Sequence, residues 1–190
     1  MKNAILVHGW NSKAEYFGED YPSPTNNNWL PWLQKQLLIK GIHTQTPEMP
    51  QPYKPEYKLW KTEFEKFKPE NADILVGHSC GGGFLTRWLS ESKSGHETVV
   101  LVAPWLDPFR EETTDFFEFE IDKTLTERIA NFHLLLSSDD EESIANSLVT
   151  ITTALPKIKV HHFTDKGHFI TETIGTTFPE LLKIILATSN

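Results

Sequence analysis

A single cysteine, Cys80, in a chain of 190 residues leaves no partner for an intrachain disulfide, and no Cys₂ or Cys₂His₂ metal set can be built from it. That scarcity fits a reducing compartment. Long hydrophobic runs are missing as well. The apolar stretch Ala4-Ile5-Leu6-Val7 is cut off by His8-Gly9 and is too short for the core of a signal peptide. Val99 to Leu106 contains Pro104 and falls far below membrane-spanning length. Basic residues are in deficit, with a net charge of −8 at pH 7. Unaided binding to nucleic acid or to an anionic membrane needs a basic surface, so neither is expected as a partner. The expectation is a soluble, cytoplasmic protein without internal repeats or low-complexity tracts.

What is present looks globular. Hydrophobic residues make up 38% and charged residues 23%, and the length fits one domain spanning 1–190. Apolar β-type runs occur at Ala4–Val7, Ala72–Val76, Thr98–Val102, His133–Ser137 and Ile158–Phe163, with a weaker one at His43–Thr46. The first four are nearly continuous in apolar residues, as strands buried on both faces should be. Helical patterns fall between them: Trp29–Lys40 with Asn28 as N-cap, Glu56–Lys68, Gly81–Ser90, Leu125–Ala130 and Ser143–Thr153. A last helix is signalled by a capping box at Thr177-Phe178-Pro179-Glu180. The alternation predicts an α/β three-layer sandwich, a mostly parallel sheet of five to six strands with helices on both faces. Two segments break the rhythm. Asn11–Asn28 is polar and turn-rich, and Pro104–Asp122 mixes acids, Glu111 and Glu112 among them, with Phe109, Phe116, Phe117 and Phe119. Both follow strands, where ligands of open α/β sheets bind.

The segment that carries chemistry is Gly77-His78-Ser79-Cys80-Gly81. It follows an apolar strand and precedes a helical pattern. Gly-x-Ser-x-Gly arises by chance in about one chain of this length in twenty, so its setting matters more than its letters. A serine on a sharp strand-to-helix turn lifts its hydroxyl clear of the sheet, and glycines flank it because side chains there would collide. Serine needs a general base, and on this arrangement an acid and then a histidine follow in chain order. His133, His161 and His162 lie inside strand patterns. His168 lies on a loop after a strand, at the same sheet edge as Ser79, and is the expected base. Asp139 and Asp140 follow the strand before it, and Asp107 follows the one before that. Spacing alone does not choose between Asp139 and Asp140. The oxyanion donors expected are the backbone N–H groups of Cys80 and of Trp10, the latter after the turn at His8-Gly9. The Cys80 thiol is expected only to pack.

These residues resemble a known family. Val7-His8-Gly9, Asn28-Trp29-Leu30-Pro31-Trp32-Leu33, the serine pentapeptide, Ser137-Ser138-Asp139-Asp140 and Asp165-Lys166-Gly167-His168-Phe169 are similar, in order along most of the chain, to the small serine hydrolases of the retinoblastoma-binding-protein-nine and YdeN group. The resemblance implies a minimal α/β-hydrolase fold without a large cap domain. Matching its Ser-x-Asp-Asp turn selects Asp140 as the acid, and its Gly-His-Phe turn selects His168. The family turn usually continues Asp-Pro, whereas Glu141-Glu142-Ser143 follow Asp140 here, and Asn11–Asn28 is longer than usual. No Leu-x-Cys-x-Glu sequence is present to bind a retinoblastoma protein.

The reading is therefore a serine hydrolase, carboxylesterase-like, that forms an acyl-enzyme with a small acyl substrate and needs neither cofactor nor metal. The alternatives are an acyltransferase, thioesterase or peptidase with the same residues, or a non-catalytic interaction module presenting Phe116 and Phe117.

Overall fold

The computed structural model describes residues 2–110 and 115–188; Glu111 and Glu112 lie outside the described residues. In chain order the elements are β1 (Asn3–Val7), α1 (Lys13–Phe17), α2 (Leu30–Ile39), β2 (His43–Gln45), α3 (Tyr57–Glu65), β3 (Ile74–His78) and α4 (Cys80–Ser92). They continue with β4 (His96–Val102), α5 (Leu125–Arg128), β5 (Ile129–Ser137), α6 (Glu142–Ala154), β6 (Lys159–Phe163), α7 (Thr171–Ile174) and α8 (Pro179–Ala187). Among the described residues, no helix is long and apolar enough to cross a membrane.

The six strands form one sheet in the order β2-β1-β3-β4-β5-β6, and every pairing is parallel. The chain runs from β1 outward to β2 and then reverses, crossing back over β1 to β3 and on to β6. With right-handed crossovers, that reversal puts α2 on one face and α3, α4 and α6 on the other. Ring packing agrees. Trp29 before α2 meets Phe178 before α8 at 5.7 Å, while Trp60 and Phe64 of α3 meet Phe84 of α4 at 5.5 and 5.3 Å. β3 is buried along its whole length, which is why it reads as a continuous apolar run. The edge strand β6 is only partly covered.

Four local expectations are corrected. Asn28 does not cap α2: its φ is +54° and its side-chain oxygen is taken by Thr171, so Trp29 stands at the cap. The helix expected over Leu125–Ala130 stops at Arg128, because Ile129 onward pairs with β4 from His96 and lengthens β5. Thr177 does not cap α8. The helix begins at Pro179 after Phe178, which is buried against Phe169 and Trp29, and no side-chain cap forms. The segment Asn11–Asn28 is not all loop, since α1 forms there on a reciprocal capping box between Ser12 and Glu15.

Candidate active site

Ser79 is the one residue between β3 and α4, with φ 53° and ψ −122°. A side-chain-bearing residue rarely holds such angles, so the surroundings must fix it. Its N–H donates to the Val102 carbonyl at 2.9 Å. Its own carbonyl accepts from the N–H groups of Gly82, Gly83 and Trp105 at 2.9, 3.1 and 3.0 Å. The flanking glycines are required by contact: a Cβ on Gly77 would lie 2.6 Å from the Gly81 carbonyl oxygen, and one on Gly81 would lie 2.3 Å from that of His8. Gly83, which the pentapeptide does not include, is tighter still, 2.0 Å from the Trp105 oxygen.

The structure brings Ser79, His168 and Asp140 into one hydrogen-bonded chain. His168 Nε2 lies 2.8 Å from Ser79 Oγ, and Nδ1 lies 3.1 and 3.0 Å from the two carboxylate oxygens of Asp140. A carboxylate only accepts, so the ring proton sits on Nδ1 and Nε2 is left to accept from the hydroxyl. The Asp140 side chain is 3% exposed, and its Oδ1 also takes the Glu141 N–H at 2.8 Å. Asp139 faces elsewhere. It accepts from the Ser137 hydroxyl and from the Gly167 N–H at 3.1 Å, and these bonds, with the Ser137 hydroxyl first, hold its carboxyl below the usual range. Asp107 lines the pocket in front of Ser79.

The loop that delivers His168 is held from several sides. Asp165, Gly167 and Phe169 all have positive φ. Buried His78 donates from Nε2 to the His168 carbonyl at 2.8 Å, and the Trp29 indole donates to the Phe169 carbonyl at 2.9 Å. Asn28 Oδ1 receives the Thr171 N–H at 2.8 Å, and Ser137 Oγ receives the Lys166 N–H at 3.1 Å. Burial, with the nearby His168 second, pushes the His78 pKa down to about 3. These four anchors were missed in the sequence. None has a local signature, because each reaches a partner distant along the chain.

The end of β1 runs against the serine: a Cβ on Gly9 would lie 3.0 Å from Ser79 Cβ and 3.5 Å from its Oγ. His8 is buried, donates from Nδ1 to the Gly9 carbonyl at 2.8 Å and accepts the Met49 N–H on Nε2 at 2.8 Å. Desolvation lowers its pKa. The Met49 bond needs an unprotonated Nε2, so the 3.8 Å approach of Glu48 to that nitrogen is not an ion pair. A trans peptide points its N–H away from its carbonyl, so fixing the Gly9 oxygen also fixes the Trp10 N–H direction. The Cys80 amide opens α4, and its thiol is fully buried with its pKa pushed up by desolvation.

Two clefts meet at Ser79, and Trp10 and His168 border both. One, of about 340 Å³, has Trp105, Phe109 and Ile144 in its walls together with Asp107 and Glu141. The other, of about 230 Å³, is lined by Asn11, Asn27 and Asn28 with Glu15 and Glu172.

The sequence model of the serine hydrolase family matches residues 4–186. The chain belongs to that family. This serine hydrolase is 22% identical to YdeN of Bacillus subtilis (strain 168) over 181 residues, covering 92% of this chain and 95% of YdeN. The crystal structure of the ydeN gene product superposes with a TM-score of 0.80 at 21% identity, over 100% of this chain and 99% of that one. Est1E from Butyrivibrio proteoclasticus, solved with ferulic acid bound, gives a TM-score of 0.71 at 9% identity, covering 100% and 90%. XC6422 from Xanthomonas campestris, described as an α/β serine hydrolase without a lid, gives 0.55 at 12% identity, covering 98% and 79%. The fold of this serine hydrolase is the small, capless α/β-hydrolase fold.

Proposed function

We propose that this serine hydrolase cleaves carboxylic esters of small or medium acyl groups through an acyl-enzyme on Ser79. His168 removes the hydroxyl proton as Ser79 Oγ attacks the acyl carbon. The same proton is then given to the departing alcohol, and water repeats the sequence to release the acid. Asp140 holds the imidazole in the Nδ1–H tautomer and stabilises the imidazolium. The amides of Cys80 and Trp10 receive the oxyanion, the second aimed by the peptide plane that His8 fixes. The observation that carries this reading is the 2.8 Å contact between Ser79 Oγ and His168 Nε2, backed by Asp140.

The aromatic walls of the larger cleft suit an acyl group with an apolar or aryl body, the type of ligand seen in Est1E. The interaction-module reading loses two of the aromatic side chains proposed for it, although Phe109 of the same stretch is exposed. Phe116 is fully buried against Trp60 at 5.1 Å, and Phe117 packs on Trp105 at 5.6 Å. The test is labelling by a fluorophosphonate and turnover of short p-nitrophenyl esters. Labelling and turnover in the wild type, both lost in Ser79→Ala, are expected. Folded wild type that neither labels nor turns over ester ends the proposal.

A further inference from the structure

We propose that the aromatic cleft beside Ser79 is a specificity site for a positively charged acyl group, one bearing an ammonium or quaternary ammonium. The proposal deepens the esterase reading and rests on it. The cleft joins three aromatic side chains, Trp10, Trp105 and Phe109, to two carboxylates, Asp107 and Glu141, and opens directly on Ser79 and His168. Aromatic faces carry negative potential and attract cations, most strongly quaternary ammonium groups that are easily stripped of water. The apolar body of the rings lowers the local dielectric, so a carboxylate in the same wall is felt more strongly than it would be in open solvent.

The complementary observation is the placement of the cations. No lysine or arginine is among the described residues lining this cleft or the smaller one. Arg110 is the only basic residue in the stretch 104–122. It is 79% exposed and lies 3.7 Å from Glu118. Lys166, two residues before His168, is drawn to Glu180 at 3.2 Å. A substrate bearing a free carboxylate or phosphate would be desolvated here without a cation to receive it. The smaller cleft repeats the pattern with Glu15 and Glu172, although Glu15 is committed to the Ser12 N–H at 2.7 Å. The net charge of −8 adds a long-range field of the same sign.

The experiment compares three p-nitrophenyl esters of equal acyl length. One ends in trimethylammonium, one in a tert-butyl group of the same shape, and one in a carboxylate. The expected kcat/KM is roughly tenfold higher for trimethylammonium than for tert-butyl, between the size of an exposed and of a desolvated cation–aromatic contact. The carboxylate ester should be the poorest of the three. The cation preference should shrink as salt rises, and Glu141→Gln should lower the trimethylammonium-to-tert-butyl ratio severalfold. Equal turnover of the three esters, or preference for the carboxylate, overturns the inference and leaves the esterase reading standing. A ratio that salt reduces but Glu141→Gln does not overturns it too, since the whole surface would then be selecting. Absence of turnover of all three, together with absence of fluorophosphonate labelling, removes the esterase reading itself.

Discussion

The Nε2–H of His78 and the backbone carbonyl of His168 are joined at 2.8 Å, which ties the strand bearing the serine to the loop bearing its expected base. The two imidazole rings lie 5.1 Å apart. A second cation at that distance would oppose protonation of His168 during turnover. Burial keeps His78 neutral, with a pKa of about 3, so it can donate its hydrogen bond without adding charge.

Replacing His78 by leucine removes the donor and leaves the carbonyl unsatisfied, at a cost of about 1–3 kcal/mol. The base then shifts, and a displacement near 1 Å is worth about a hundredfold in rate. His78→Leu is therefore expected to lower both the melting temperature and kcat on a p-nitrophenyl ester. Glutamine places an N–H near the position of Nε2, so His78→Gln should recover most of both. If the leucine variant turns over as wild type does, the clamp has no role in positioning.

Asp140 and Asp139 are neighbours in sequence with separate partners, His168 for the first and Ser137 and Gly167 for the second. Asp140→Asn leaves an amide that no longer selects the Nδ1–H tautomer, and kcat should fall by about 10⁴-fold with the fold intact. Asp139→Asn should weaken the anchor at Gly167 and Ser137, with a melting loss and a much smaller loss of rate. Rate assays and melts on both variants decide the assignment, and a reversed order would transfer the acid role to Asp139.

That pair also marks where the sequence stops being legible. The strands were readable because burial on both faces demands continuous apolar runs, and the elbow because its glycines are dictated by contact. Adjacent residues on a turn point in different directions, and no spacing rule says which one meets an imidazole 28 residues away. The Trp29 indole, bonded to Phe169 across 140 residues, was equally silent. Arg128 illustrates an override by tertiary contacts. Its guanidinium is drawn to Asp122 and to the Leu89 carbonyl, and the local helix stops after it because Ile129 pairs with β4. By contrast, α1 was announced by Ser12 and Glu15, a capping-box signal that was there to be read.

Glycine substitutions separate contact from conformation. A methyl at Gly83 would sit 2.0 Å from a backbone oxygen, and at Gly81 2.3 Å from another, so alanine at either should prevent accumulation of folded protein. Gly175 has φ +74° and ψ −161° with nothing within 4 Å of a Cβ, so alanine there meets no clash and should cost about 1–3 kcal/mol of backbone strain while the protein still folds. Soluble yield and thermal melts distinguish these cases, and a well-folded Gly81→Ala protein would contradict the tight β1–α4 approach.

Acid should destabilise this fold before most carboxylates titrate. Burial lowers the pKa of His78 to about 3 and that of His133 to about 4, and it also lowers His8 and His96. In the unfolded chain these imidazoles take up protons near the ordinary value of about 6.5. Between that value and the folded pKa the unfolded state binds more protons, so stability rises with pH. The contribution is complete above about pH 6.5 and is lost as pH falls towards 4 and then 3. Each imidazole supplies at most about 1.4 kcal/mol per pH unit, roughly 3–5 °C of melting temperature for a chain of this size. Asp122, whose carboxyl is held low by Lys93 and Arg128, adds a loss of the same sign at still lower pH. The melting temperature should therefore stay nearly level above about pH 6.5 and fall with growing slope from there to pH 5. His78→Gln should flatten that slope while lowering the plateau. An unchanged or rising melting temperature over the same interval would show that these rings are not held neutral.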